Sequence, residues 1–230
     1  MARRRELNTL SPGEIVRLLL PLYEEPVWHS RGDAVTELVF TILSQNTSDT
    51  NSLRAFASLR ARFPAWGELM AADPEQIAAE IQVGGLARVK APRIKAVLEE
   101  LWRRRGSFDL AFLTGMPLPE AKEWLRSLTG VGPKTAACVL MFALGRPALP
   151  VDTHVHRVAQ RLGLVPGKMG AAEAHDHLEA MLEPSEVYPF HKFLIEHGRR
   201  LCRARCPLCS ECLLRDVCPT VAHHLSTGRR

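Results

Sequence analysis

An all-α fold is what this sequence predicts, and three observations predict it. Apolar residues recur at helical spacing, helix-start signals are frequent, and period-2 alternation bounded by turn residues is almost absent. Ser11-Pro12-Gly13-Glu14 joins an N-cap serine, a proline at the first helical position and a glutamate where a capping box needs one. Ile15, Leu18, Leu19 and Leu22 follow at helical spacing. Asp33 is placed to cap a helix running through Leu43, and Asp73-Pro74 opens another that carries Ile77 and Ile81. Ile94, Val97, Leu98 and Leu101 repeat the i, i+3, i+4, i+7 pattern, as do Val155, Val158, Ala159 and Leu162. Two more helices are expected over 171–182 and 189–201.

The chain has 230 residues, the length of one large domain or two small ones. Hydrophobic residues make up 46% and charged residues 24%, which is ordinary for a globular protein. Lys and Arg number 30 against 25 Asp and Glu, a net +5 that excludes an acidic disordered tail and tilts the partner toward a polyanion. The longest apolar run, Ala136–Leu144, is half the roughly 18 residues of a membrane span and reads as a buried helix. Met1-Ala2-Arg3-Arg4-Arg5 has the charge of a secretory signal but no apolar region after it, so a soluble, cytoplasmic protein is expected. The best boundary is 145–150, where Gly145, Pro147 and Pro150 cluster.

Five of the six cysteines fall between residues 202 and 218, while Cys138 sits alone in an apolar run. Clustering at one end of an apparently intracellular chain points to a metal and not to a disulfide framework. The set Cys202, Cys209, Cys212 and Cys218 supplies four thiolates, the complement of a 4Fe–4S cluster and equally of structural zinc. Cys206 fits no ligand slot and is expected to be a spare buried thiol, with an alternative ligand as the other reading. The gap around it holds Arg203 and Arg205, which suit a phosphate-backbone clamp or a solvated basic loop.

Leu128-Thr129-Gly130-Val131-Gly132-Pro133-Lys134-Thr135-Ala136 is the most informative stretch. A helix with Glu120, Trp124 and Leu125 runs into it and a second starts at Pro133. Gly130 and Gly132 bracket Val131, so the backbone can turn tightly and offer free N–H groups beside a helix start, a combination that suits a phosphate oxygen. An ordinary helix–turn–helix corner would look similar.

This hairpin, followed by Pro150-Val151-Asp152-Thr153-His154, resembles the endonuclease III branch of the helix-hairpin-helix DNA glycosylase superfamily. The resemblance covers about residues 30–219, with the motifs in family order. It implies that Lys134 is the nucleophile and that Asp152 assists it. That chemistry is sensible in itself. Breaking an N-glycosidic bond develops positive charge on the sugar, which a fixed carboxylate stabilises. A neutral amine can then attack C1′ and collapse to a Schiff base that permits β-elimination. A lysine in the first turn of its helix meets the positive dipole end, which favours the uncharged amine. The resemblance also turns the cysteine spacing toward a 4Fe–4S cluster of structural role.

A glycosylase extrudes its target nucleotide, so side chains must fill the gap. Gly85-Leu86-Ala87-Arg88-Val89-Lys90-Ala91 resembles the family's wedge loop and makes Leu86 the intercalating residue, with a core anchor as the plainer reading. The gap-filling amide belongs in Ser44-Gln45-Asn46-Thr47-Ser48-Asp49. Aligned by Ser44 and Asp49, Asn46 stands where the family commonly has Gln, with Gln45 one place earlier. Asp49 itself suits a helix cap. His154 and His156 can line a pocket or pack inside the protein, and His175-Asp176-His177 follows a helix period expected on a surface face. Trp28, Trp66, Trp102 and Trp124 are expected in core or boundary packing, and Arg103–Arg105 at a solvated helix end.

The expected architecture is two-lobed: residues 31–146 form a helical lobe with the hairpin, and 1–30 plus 147–230 form the cluster lobe, with the active cleft between them. The expected protein is a monomeric bifunctional DNA glycosylase and abasic-site lyase acting on oxidised pyrimidines in damaged duplex DNA. A mismatch thymine or uracil glycosylase of the same superfamily is the nearest alternative. From another class, a catalytically silent iron–sulfur DNA-binding protein would keep hairpin and cluster alone.

Overall fold

The computed structural model describes residues 10–221 and is all-α: among these residues there are eleven α-helices, a few short 3-10 turns and no strand. In chain order the helices are α1 (Pro12–Leu19), α2 (Ala34–Leu43), α3 (Asp49–Arg62), α4 (Trp66–Ala71), α5 (Pro74–Glu80), α6 (Ala87–Arg105), α7 (Leu118–Arg126), α8 (Pro133–Cys138), α9 (Thr153–Arg161), α10 (Ala171–Glu179) and α11 (Val187–Arg200). The chain divides into two compact units, His29–Arg146 and Met1–Trp28 with Pro147–Arg230. The basic start Met1–Arg5 lies outside the described residues. No described helix is long and apolar enough to cross a membrane.

Helix starts follow the local chemistry. Ser11 and Glu14 form the capping box, with Glu14 N–H donating to Ser11 Oγ at 3.3 Å and Ser11 N–H to Glu14 Oε2 at 2.7 Å. Asp33 Oδ1 accepts from the N–H groups of Val35 and Thr36, each at 2.9 Å, and Oδ2 accepts from Thr36 Oγ1 at 2.6 Å. At α3 the cap is Ser48, accepting from Asn51 N–H at 3.3 Å, and Asp49 is the first helical residue instead of the cap. α10 ends at Glu179 and α11 begins at Val187, shifts of two or three residues from the sequence-based bounds.

In the His29–Arg146 unit, α6 packs on α2, α4 and α5, and α8 packs on α2 and α7. Leu38, Ile42, Ile94, Leu98 and Leu140 are fully buried there. The apolar run after Lys134 is buried as expected, but α8 widens after Cys138 into a π-helical turn over Val139–Ala143. Such turns are rare and often mark functional sites. In the other unit α11 packs on α9 and α1, with Phe190, Phe193, Leu194 and Val155 buried.

Three expectations about individual residues change. His175 is 5% exposed, its ring bonding Val151 N–H at 3.0 Å and lying 2.7 Å from Ala171 O, so it is an interior histidine and not a surface one. Trp102 is 48% exposed with its ring against Phe108, and Trp28 is also exposed. Of the triple arginine, Arg104 donates to Ser127 Oγ at 2.6 Å and Ser127 O at 3.1 Å, and Arg105 lies over the Phe112 ring, so the helix end is fastened and not merely solvated.

Glu37, in the first turn of α2, is 2% exposed and accepts from Thr41 Oγ1 at 3.2 Å. Burial pushes its carboxyl above the ordinary carboxylate range, against the opposing pull of Arg31, Thr41 and Lys134.

Asp33→Ala should destabilise the protein by about 0.5–2 kcal/mol, because two N–H groups at the start of α2 lose their acceptor; urea melts would read this. Glu37 gives a prediction with a sign. Its folded-state affinity for a proton exceeds the unfolded one, so its contribution to stability is present at acid pH and is lost as pH rises past the ordinary carboxyl value toward the folded one. Glu37→Gln, which cannot titrate, should therefore gain stability relative to the parent as pH rises from 4 to 8. Parallel melts showing a constant difference would contradict it.

Candidate active site and nucleic-acid interface

The hairpin forms as its glycines require. Gly130 has φ +82°, Val131 N–H donates to Leu128 O at 3.1 Å, and Gly132 is the N-cap of α8. Val131 is 5% exposed, so its side chain anchors the turn from below and only its backbone can face a ligand. Lys134 is the second residue of α8 and half-buried. α8 packs against α2, and the buried Glu37 carboxyl on α2 feels the charge of Lys134.

Asp152 is the N-cap of α9. Its Oδ1 accepts both His154 N–H and Val155 N–H at 2.8 Å. Oδ2 takes no hydrogen bond among the described residues. One oxygen therefore fixes the carboxyl group in place. The histidines nearby are structural: His154 Nδ1 meets Arg157 at 3.2 Å, and His156 Nε2 lies 2.9 Å from Met169 O.

The far end of α9 organises the cysteines. Arg157 donates to Cys202 O at 3.1 Å and Gly198 O at 2.9 Å. Arg161 donates to Arg203 O at 2.7 Å and Ala204 O at 3.0 Å, and its guanidinium lies 3.3 Å from Cys202 Sγ. The sequence reading missed both, although their i, i+4 spacing on the helix after Asp152 was a signal. Cys202, Cys209, Cys212 and Cys218 line one cavity together with Arg161, His197 and several apolar side chains. Burial pushes the Cys212 thiol up to about 11, and Cys202, Cys218 and Cys209 add to the rise. Cys209 is raised by burial and then by Cys202 and Cys218. Thiols that oppose one another's ionisation are a donor set that a cationic group would relieve, so the four fit a metal-containing group. Among the described residues, no three His, Cys, Asp or Glu side chains converge closely enough for a single metal ion. Cys206 is exposed, not buried as expected; it has φ +49° and does not line the cavity. Arg203 and Arg205 are exposed beside it.

The loop residues proposed to read DNA share a backbone signature. Leu86 is 53% exposed with φ +52°, and Asn46 is exposed with φ +54°. Gln45 is half-buried, its Oε1 accepting from Arg93 Nη1 at 2.9 Å. Its exposure shows that Leu86 is not a core anchor, and the left-handed region is strained for leucine. Lys134, Gly130, Val131, Gly132, Gln45, Asn46 and Leu86 thus belong to the His29–Arg146 unit, and Asp152, the cysteines, Arg203 and Arg205 to the other.

Comparison with known proteins agrees with this geometry. Residues 39–184 match the model of the HhH-GPD superfamily base excision DNA repair proteins. A putative DNA glycosylase of Arabidopsis thaliana is 37% identical over 91% of this chain and 69% of its own. Endonuclease III of Thermotoga maritima is 36% identical over 83% of this chain and 84% of its own. A trapped endonuclease III–DNA covalent intermediate superposes with a TM-score of 0.78 at 25% identity, covering 94% of this chain and 99% of that one. A thermostable thymine-DNA glycosylase shares the fold, at a TM-score of 0.73 and 19% identity over 92% of this chain and 97% of that one. The chain therefore belongs to the HhH-GPD superfamily, as an endonuclease III-like DNA glycosylase.

Proposed function

We propose that this protein is a bifunctional glycosylase and abasic-site lyase that removes oxidised pyrimidines from duplex DNA. Lys134 Nζ, as the neutral amine, attacks C1′ of the damaged nucleotide. The C1′–N bond breaks and its electron pair leaves with the base. The sugar ring opens to a Schiff base with Lys134, loss of a C2′ proton drives β-elimination of the 3′ phosphate, and hydrolysis frees the lysine. Asp152 Oδ2 faces the positive charge that grows on the sugar while Oδ1 stays committed to the α9 amides. The observation that carries this reading is that carboxylate, fixed through one oxygen and open at the other.

Leu86 fills the space left by the extruded nucleotide, with the amide loop at Gln45 and Asn46 beside the opposite strand. The hairpin holds the DNA backbone through the amides of Gly130 and Gly132, with Val131 anchoring the turn. Cys202, Cys209, Cys212 and Cys218 would hold a 4Fe–4S cluster. When bound, such a cluster cross-links the loop that displays Arg203 and Arg205 toward phosphate, and takes no part in bond breaking. The relatives support DNA as the partner, since the endonuclease III structures include complexes with it. The protein works as a monomer in the cytoplasm.

Borohydride trapping on duplexes bearing thymine glycol, a plain abasic site or a T·G mismatch tests the chemistry. Trapping on thymine glycol is expected, and it should vanish in Lys134→Ala, which still binds DNA. Trapping on the mismatch alone would move the activity to thymine excision, and none on any duplex would leave a silent binder. Aerobically purified protein should be brown and hold about four irons per chain, with loss of colour in Cys212→Ser. Colourless protein with stoichiometric zinc would overturn the cluster assignment.

A further inference from the structure

Three loops of the His29–Arg146 unit bend through left-handed backbone: Gln45–Thr47 at Asn46, Gly84–Leu86 at Leu86, and Thr129–Gly132 at Gly130. Conformations of this kind persist only where surrounding contacts over-determine them. The contacts that do so come from the first two turns of one helix, α6. Lys90 is 2% exposed, and its ammonium donates to Leu43 O at 2.6 Å and to Gly84 O at 2.8 Å. Leu43 ends α2 and Gly84 ends a 3-10 turn, so both acceptors are carbonyls that their own helices leave without partners. The ammonium thereby ties the root of the amide loop to the root of the Leu86 loop.

One turn further along α6, Arg93 makes a second tie. Its Nη1 donates to Gln45 Oε1 at 2.9 Å, and its stem runs beneath Gly130, where an added Cβ would lie 2.8 Å from Arg93 Cγ and Cδ. That close approach requires glycine at 130, and it joins the amide loop to the hairpin. The carbonyl of the Gln45 amide is taken up internally, which leaves Asn46, exposed and outside this network, as the amide that faces outward.

We propose that Lys90 and Arg93 are positioning residues that bind the three loops into one preformed DNA-reading rim, with Asn46 and not Gln45 as its outward amide. The proposal deepens the reading of these loops as the DNA-contacting set, and it holds a mechanical claim that can be tested without DNA. A buried ammonium replaced by an apolar chain of similar length releases two carbonyls together, and Arg93→Ala, which removes both guanidinium and stem, releases Gln45 and the support under Gly130 together.

Hydrogen exchange on the free, full-length protein tests the coupling. In Arg93→Ala the amides of residues 45–47 and 129–131 should quicken together, by about tenfold or more, the worth of one hydrogen bond to a charged group. Arg93→Lys, which retains a donor, should restore much of the protection. In Lys90→Met the pair that quickens should be 45–47 and 84–87. Quickening in only one loop of a pair, or none, would overturn the proposal, as would a uniform rise over the whole unit.

A second reading uses duplexes with 2-aminopurine opposite a tetrahydrofuran abasic analogue. Asn46→Ala should lose most of the fluorescence change on binding while residues 84–87 and 129–131 keep their exchange protection; a retained fluorescence change would overturn the assignment of the outward amide. Exchange coupling as predicted in a wild-type protein that ignores the abasic duplex would keep the mechanical claim and remove the DNA-reading function.

Discussion

A chain built from short helices must find partners for the carbonyls that each helix end leaves unbonded, and in this protein cationic side chains meet that requirement repeatedly. Lys90 serves the ends of α2 and of the turn before Gly85. Lys95 donates to Met70 O and Ala72 O at the end of α4, and Arg60 to Phe63 O and Pro64 O after α3. Arg146 reaches Leu113 O and Met116 O, and Arg157 and Arg161 cover the carbonyls around the end of α11. The negative pole of each helix end makes a cation the favoured partner, and burial strengthens the attraction by removing competing water.

This arrangement changes what the net charge of +5 means. A surplus of lysine and arginine ordinarily suggests a surface for polyanions, yet many of these cations point inward and are bound to the protein's own backbone. Other cations stay exposed, Arg203 and Arg205 on the cysteine loop among them, although Arg203 also donates to Arg200 O at 3.1 Å. Lys134 stands apart from both groups. It is half-buried at the start of α8, among the described residues no backbone carbonyl holds its ammonium, and the nearby buried carboxyl of Glu37 senses its charge.

Much of the fold was legible because its signals are local. Ser11, Asp33 and Asp152 cap the helices that their positions in sequence announce, and the glycines at 130 and 132 bend the hairpin where they stand. The four cysteines were legible as a set, and they do line one cavity. Residues whose role depends on distant parts of the chain were not legible. Lys90 sits 47 positions from Leu43, and nothing in its neighbourhood in sequence marks a buried ammonium. Glu37 and His175 were opaque for the same reason: both occupy helical positions that look amphipathic, and only packing decides that they face inward. The π-helical turn after Cys138 has no residue signature, since its apolar run reads equally as an ordinary helix.

The bent backbone at Asn46 and Leu86 has a consequence for speed. A left-handed residue other than glycine costs about 1–2 kcal/mol, and that cost is already met in the free protein. On the proposed reading, a rim with its final shape before encounter needs no rearrangement when it meets a nucleotide. The cost falls instead on heat tolerance, because two such residues consume an appreciable share of the roughly 5–15 kcal/mol that holds a domain folded. Relaxing either loop would yield a hardier protein that searches more slowly.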